Sequence, residues 1–264
     1  MKLTGSLPES SEENGTEEQQ EPFGENGTVA QQEPTGENDL NTEGEPDFDT
    51  EGAPNSGLEI PEDLRAALLE KEVLIDWIQD ASYTYALVHS DGNSEYGDTL
   101  LILTEEKGEF VRTYENDFRE LMPWKIETAD IDGDLEKEIL VAVKKTTPYD
   151  KKIKNRMFIF NYRDGVLVKK WTGSQIAGTW RDFYAEELVD ASGEELIFLE
   201  QLTENTERIK VYSWFDFGFF LLAESGEYTK VKELTVSEEN SLWVTLADGR
   251  QFQLTMKNGK LVET

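Results

Sequence analysis

The sequence predicts an all-β body: a small β-propeller-like domain of about four blades, preceded by a disordered acidic tail and one α-helix. Three observations predict it. From about residue 81 onward the apolar residues recur with a period of two, in short β-branched and aromatic runs. Lys107-Gly108, Asp164-Gly165, Asp248-Gly249 and Asn258-Gly259 divide those runs, and Asp-Gly or Asn-Gly between alternating runs marks a tight hairpin. A sequence unit also recurs after about 52 residues, near the length of a four-stranded blade.

The chain has 264 residues, and its first part is unlike the rest. Residues 1–57 are expected to be a disordered tether. Residues 1–60 hold 16 acids and one base, Lys2, so about half of the net charge of −31 sits there. Phe23 and Phe48 are isolated, and so little apolar surface does not offset chain entropy. Asn14–Glu25 (NGTEEQQEPFGE) is followed at once by Asn26–Glu37 (NGTVAQQEPTGE), and a third, degenerate copy starts at Asn38. Tandem polar copies indicate a spacer whose length matters more than its shape.

Residues 58–80 read as one helix packed on the body. Pro61 supplies a fixed φ at the start, and Glu62 and Asp63 an acidic first turn. Strong helix formers follow, with Leu64, Ala67, Leu68, Ile75 and Ile78 at spacings that suit one apolar face. Residues 81–264 then carry TYALV, LLIL, EILVAV, MFIFNY, VLVKKW, ELIFLE, IKVYSW, FFLLAE, LWVTL and FQLTM. These amount to roughly ten to twelve strands. RMFIFNYRDGVL from Arg156 resembles RIKVYSWFDFGFF from Arg208, and ADIDGDLEKEILV upstream of the first matches AEELVDASGEELIFL upstream of the second.

Composition excludes several functions. With 56 acids against 25 bases, the chain has no phosphate-binding character, so no nucleic-acid partner is expected, nor docking on anionic lipid. No apolar run approaches the ~20 residues that cross a bilayer. There is no cysteine, hence no disulfide, thiol nucleophile or cysteine-based zinc site, and His89 is the single histidine. His89, Ser90 and Asp91 are consecutive and do not form a triad, because neighbours on a strand point to opposite faces. No Gly-rich phosphate loop or Gly-x-Ser-x-Gly is present, so an enzyme is not the expected reading.

The most informative stretch is Ala129–Val141, ADIDGDLEKEILV, with carboxylates at every second position: Asp130, Asp132, Asp134, Glu136 and Glu138. Ca²⁺ takes six to eight oxygens, and alternating carboxylates on a tight loop can wrap one ion. Gly133 lets the backbone curl. Clustered carboxylates also repel, which a divalent ion relieves. The alternative is a solvated turn. An EF-hand is excluded, since Leu135 stands where its glycine is required and Val141 where its bidentate Glu is required.

This loop resembles the calcium loops of the FG-GAP and VCBS repeat family, the repeats of integrin α-like β-propellers, whose pattern is Asp-x-Asp-Gly-Asp-Gly-x-x-Asp before an apolar strand. Here Leu135 replaces the second glycine and Glu138 the final Asp. The resemblance covers roughly Pro123–Ala223. It implies a propeller-type fold, bound Ca²⁺ and an exported, cell-surface role, without a known reaction. Leu3-Thr4-Gly5 also resembles the residues before the lipid-modified cysteine of bacterial lipoproteins, with Ser6 in the cysteine's place, which implies a lipid anchor in a native precursor.

The second copy, Glu186–Leu196, has lost the alternation at Val189 and Ala191. Trp171, Trp180 and Tyr184, around TGSQIAGTW, are candidates for an aromatic platform that binds a protein or glycan ligand; their other role would be to close the core between blades. The expected function is therefore a binding or adhesion module on the bacterial surface, with one structural calcium loop. A carboxylate-dependent glycan hydrolase and a non-catalytic subunit of a surface assembly are the alternatives.

Overall fold

The computed structural model describes residues 60–264, apart from residues 93, 174–175, 190–192 and 238–239. The tether, its repeats and the Leu3–Ser6 stretch lie outside the described residues, as does Ala191. The body is almost entirely β, in four antiparallel meanders of four strands each. Blade 1 is β1 (Val73–Gln79), β2 (Thr84–His89), β3 (Thr99–Glu106) and β4 (Glu109–Asp117). Blade 2 is β5 (Pro123–Ala129), β6 (Glu138–Lys145), β7 (Lys154–Arg163) and β8 (Val166–Gly173). Blade 3 is β9 (Trp180–Glu186), β10 (Glu195–Gln201), β11 (Thr206–Phe215) and β12 (Gly218–Thr229). Blade 4 is β13 (Val231–Val236), β14 (Leu242–Leu246), β15 (Gln251–Lys257) and β16 (Lys260–Glu263). Blades 3 and 4 join into one sheet through a single parallel pairing, Glu224 with Lys260.

The blades pack face to face, and the residue pattern of each second strand shows how. Along β6, Ile139, Val141 and Val143 face blade 1 while Leu140 and Ala142 face blade 3. β10 does the same between blades 2 and 4: Leu196 and Phe198 on one side, Ile197 and Leu199 on the other. Strands buried on both faces read as continuous apolar runs, which is why EILVAV and ELIFLE show no alternation. In β14 only Leu242, Val244 and Leu246 are buried; Trp243 between them is exposed. Blade 4 thus buries one face, and LWVTL alternates accordingly.

The far face of blade 1 is covered by α1 (Glu62–Ala66), whose Leu64 packs on Ala86, Val88, Leu101 and Leu103. Arg112 on β4 fastens this cover, donating to Ala67 O at 3.0 Å and pairing with Glu72. The repeated hairpins fall at equivalent places: Arg156–Leu167 spans the β7–β8 turn and Arg208–Phe220 the β11–β12 turn. Asp164 and Gly165 both have positive φ, as a two-residue turn matched to strand twist requires.

Two expectations need correction. The helix does not run over 58–80: it ends at Ala66, and Val73–Gln79 is the first strand of blade 1. A bulge between Leu74 and Asp76 explains the misreading. With one extra residue in the strand, Leu74 and Trp77 share one face while Ile75 and Ile78 share the other, a spacing of three that imitates a helix. The blades therefore begin before residue 81. The strands among the described residues also number sixteen rather than ten to twelve. The outer strands, such as EFVRTYEND, bury little and carry a weak apolar signal. Among the described residues, no helix is long and apolar enough to cross a membrane.

Candidate metal centre

The acidic loop links β5 to β6 in blade 2. Glu138 opens β6, fully buried, and accepts from Ile131 N at 3.1 Å through Oε2 and from Asn161 Nδ2 at 2.8 Å through Oε1. This anchor belongs to the blade fold. Glu195 opens β10 in the same way and accepts from Leu188 N at 2.9 Å and Val189 N at 3.2 Å. What blade 2 adds is a second layer of charge around the anchor.

Asp130, Asp132 and Glu138 each bring one carboxylate oxygen to a common point, all within 4.8 Å of one another. Among the described residues this is the one such grouping. Asp130 also shapes the loop, accepting from Gly133 N at 2.7 Å, Asp134 N at 3.1 Å and Leu135 N at 2.9 Å. Its backbone is braced by blade 3: Glu194 N donates to Asp130 O at 2.7 Å, and Asp130 N to Glu194 Oε2 at 2.5 Å. Gly193, at φ +111°, lies so close that an added Cβ would stand 2.6 Å from Ile131 O.

Lys170 on β8 enters the group from the other side, with Nζ 2.5 Å from Asp132 Oδ2 and 2.7 Å from Glu138 Oε1. Burial works against its ammonium, but the bonds to Asp132 and Glu138 outweigh that and hold its pKa above the usual lysine value. Glu138 is pushed up, because burial outweighs Lys170 and the N–H of Ile131. One lysine does not balance three carboxylates, and Asp132 Oδ1 is buried with no hydrogen-bond partner. An orphaned, inward carboxylate oxygen beside two others fits a hard divalent cation.

The fit is narrower than the sequence suggested. Asp134 and Glu136 do not join the group; both are turned outward to Arg163, at 3.0 and 2.6 Å. Positive φ at Gly133 and Leu135 bends the chain there, so alternate positions no longer share a face. Asp130, Asp132 and Glu138 are the residues that would hold Ca²⁺. Sequence reasoning missed Lys170 and Arg163, which lie far along the chain. The one signal was the Lys169-Lys170 doublet interrupting the apolar run VLVKKW.

The aromatic platform does not form. Trp180 is 2% exposed, enclosed by Trp124, Phe183 and Phe198 between blades 2 and 3. Tyr184 packs with the core between blades 3 and 4, on the opposite face of the same sheet, and its hydroxyl donates to Asp182. An extra residue in β9, Arg181, opposite the step from Leu199 to Glu200, splits them. Trp171 is half-buried, edge-on to Phe219 at 5.2 Å, and helps join blade 2 to blade 3.

A different aromatic group stands beside the acidic loop. A cleft of about 640 Å³ is lined by Tyr83, Tyr85 and Tyr162, with Leu135–Lys137 of the loop forming one wall. Tyr83 meets Tyr162 edge-on at 5.2 Å. Asn161, which anchors Glu138, also lines this cleft, so one side chain touches both.

No family model matches the chain, and no curated protein matches it at a significant level. Among solved structures, one is a Bacteroides fragilis protein described as "a putative 6-phosphogluconolactonase". It is 10% identical over 71% of this chain and 68% of its own, with a TM-score of 0.37, and at that level the likeness carries no argument.

Proposed function

We propose that this is an exported bacterial surface module that binds a protein or glycan ligand, with one structural Ca²⁺ held by Asp130, Asp132 and Glu138. The observation that carries the reading is the shared wall: Leu135–Lys137 belong both to the carboxylate loop and to the tyrosine-lined cleft. A cation fixing the loop would also fix the cleft, and tyrosine faces beside an amide suit sugar rings or peptide. The FG-GAP and VCBS resemblance supports the same metal and an extracellular setting, where Ca²⁺ fills even a weak site of ~10⁻⁴–10⁻³ M. A lipid anchor in the precursor belongs to this reading.

Thermal melts in EDTA, with Ca²⁺ then restored, test the metal. Binding to the folded state raises stability by ~2.7 kcal/mol at a hundredfold excess over Kd. The rise is expected in the parent and absent in Asp132→Asn. Glycan and peptide arrays run on parent and Tyr83→Ala/Tyr162→Ala protein test the cleft; the account expects hits that the variant loses.

A second reading, a non-catalytic subunit of a surface assembly, draws on the β11–β12 hairpin. Phe215 and Phe217 are 73% and 82% exposed at its tip, with Phe220 and Leu221 beside them. Exposed apolar groups this concentrated are commonly covered by a partner.

A further inference from the structure

We propose that the outer edge of blade 2 and its β6–β7 loop form a docking surface for an extended acidic peptide. This goes beyond the calcium loop and its cleft, neither of which supplies a residue to it.

The first observation is charge. Residues 144–156, KKTTPYDKKIKNR, hold six bases and one acid in a chain with 56 acids and 25 bases. The one acid, Asp150, shows what the loop accepts: its Oδ2 takes Arg156 Nη2 at 2.9 Å and Lys154 Nζ at 3.0 Å. Those bonds hold its carboxyl down at about 2. Arg156 itself is buried, a fixed donor rather than a mobile surface charge. Lys145 and Lys151 have no ion pair among the described residues, so the loop still carries unbalanced positive charge. Beside it lies a cleft of about 480 Å³ lined by Thr147, Tyr149, Phe158 and Thr172, with Tyr149 fully exposed.

The second observation is a free sheet edge that reaches this cleft. β8 is the terminal strand of its sheet, and its last residues, Thr172 and Gly173, line the cleft. Among the described residues no strand pairs on its outer side. Val166 and Val168 are half exposed there. A free edge offers backbone N–H and C=O groups to an incoming strand, and exposed side chains beside it give selectivity. The last strands of the neighbouring blades are unsuited: β4 carries Glu109, Glu115 and Asp117 against Arg112, and β12 is already paired with β16 at Glu224 and Lys260. β8 carries no acid, and beside Lys170, which is taken up by Asp132 and Glu138, it carries the exposed Lys169.

The edge is what selects a peptide over other polyanions. A strand can pair its backbone with β8, seat an apolar side chain by Val168 and lead its carboxylates to Lys145 and Lys151. A phosphate polymer has only the last of these.

Fluorescence anisotropy on the full chain tests this, with a labelled dodecamer alternating Glu and Val as the probe. Saturable binding that weakens with salt is expected, with none for the Lys-Val counterpart. Lys145→Glu/Lys151→Glu should weaken binding by about tenfold or more, as reversal of facing charges does. Val168→Asp, a separate change at an exposed position, should weaken it with the loop intact. Unaltered melting temperatures verify that both variants fold. Binding unchanged in either variant, or inorganic polyphosphate competing as well as the peptide, would overturn the proposal.

Discussion

Gly193 tolerates no side chain, and the reason lies in another blade. Its φ of +111° is strained for any L-residue, and Ile131 O blocks the Cβ position with backbone that cannot swing away. Gly193→Ala is expected to cost about 1–3 kcal/mol, and to loosen the acidic loop that Glu194 braces. Chemical denaturation measures the first effect and Ca²⁺ affinity the second. Glu195 makes a different demand. Burial raises its pKa, and Oε1 has no hydrogen-bond partner. The folded state therefore holds this proton to higher pH than the unfolded chain does. Its contribution is favourable below the ordinary value of 4.5 and is lost as pH rises through the raised folded value. Glu195→Gln, which stays neutral, should shrink the drop in melting temperature between acid and neutral pH. An undiminished drop would show that Glu195 is not its source.

At the scale of elements, the sheets make unequal use of their faces. Blade 4 buries one face, so Leu254→Ala on β15 should cost about 2–5 kcal/mol. Thr245→Lys on the opposite face of β14 should stay within about 0.5 kcal/mol. Equal costs in urea titrations would mean that blade 4 is covered on both sides. This asymmetry was legible in the sequence, since LWVTL alternates where EILVAV and ELIFLE do not. The hairpins were legible too, because Asp164-Gly165 and Asn258-Gly259 supply the positive φ that the turns need. The first strand was not: its bulge at Leu74–Asp76 converts alternation into a spacing of three. The candidate site was half legible. Alternating carboxylates located Asp130, Asp132 and Glu138. Spacing alone did not show that Gly133 and Leu135 turn Asp134 and Glu136 away, or that a lysine 32 residues beyond Glu138 closes the group. Trp180 and Tyr184 take the core-closing role the sequence also offered them, and an extra residue in β9 opposite Leu199 and Glu200 sets them on opposite faces, so they form no common platform.

At the scale of the whole molecule, a net charge of −31 sets the electrostatics. Self-repulsion in the compact state is screened by salt, so melting temperature should rise with NaCl in the low-millimolar to physiological range. Ca²⁺ must act beyond this general screening if the loop is a site. A Ca²⁺ effect matched by Mg²⁺ or by extra NaCl would assign it to screening alone. The most direct measurement is therefore equilibrium dialysis of the full chain against Ca²⁺ at physiological salt, with Asp132→Asn alongside. The acidic tail is the same in both, so the difference isolates the loop. The account predicts that the parent binds about one Ca²⁺ per chain more than the variant, the occupancy of a single carboxylate cage. Identical isotherms would contradict it, and would leave Lys170 as the cation that balances Asp132 and Glu138.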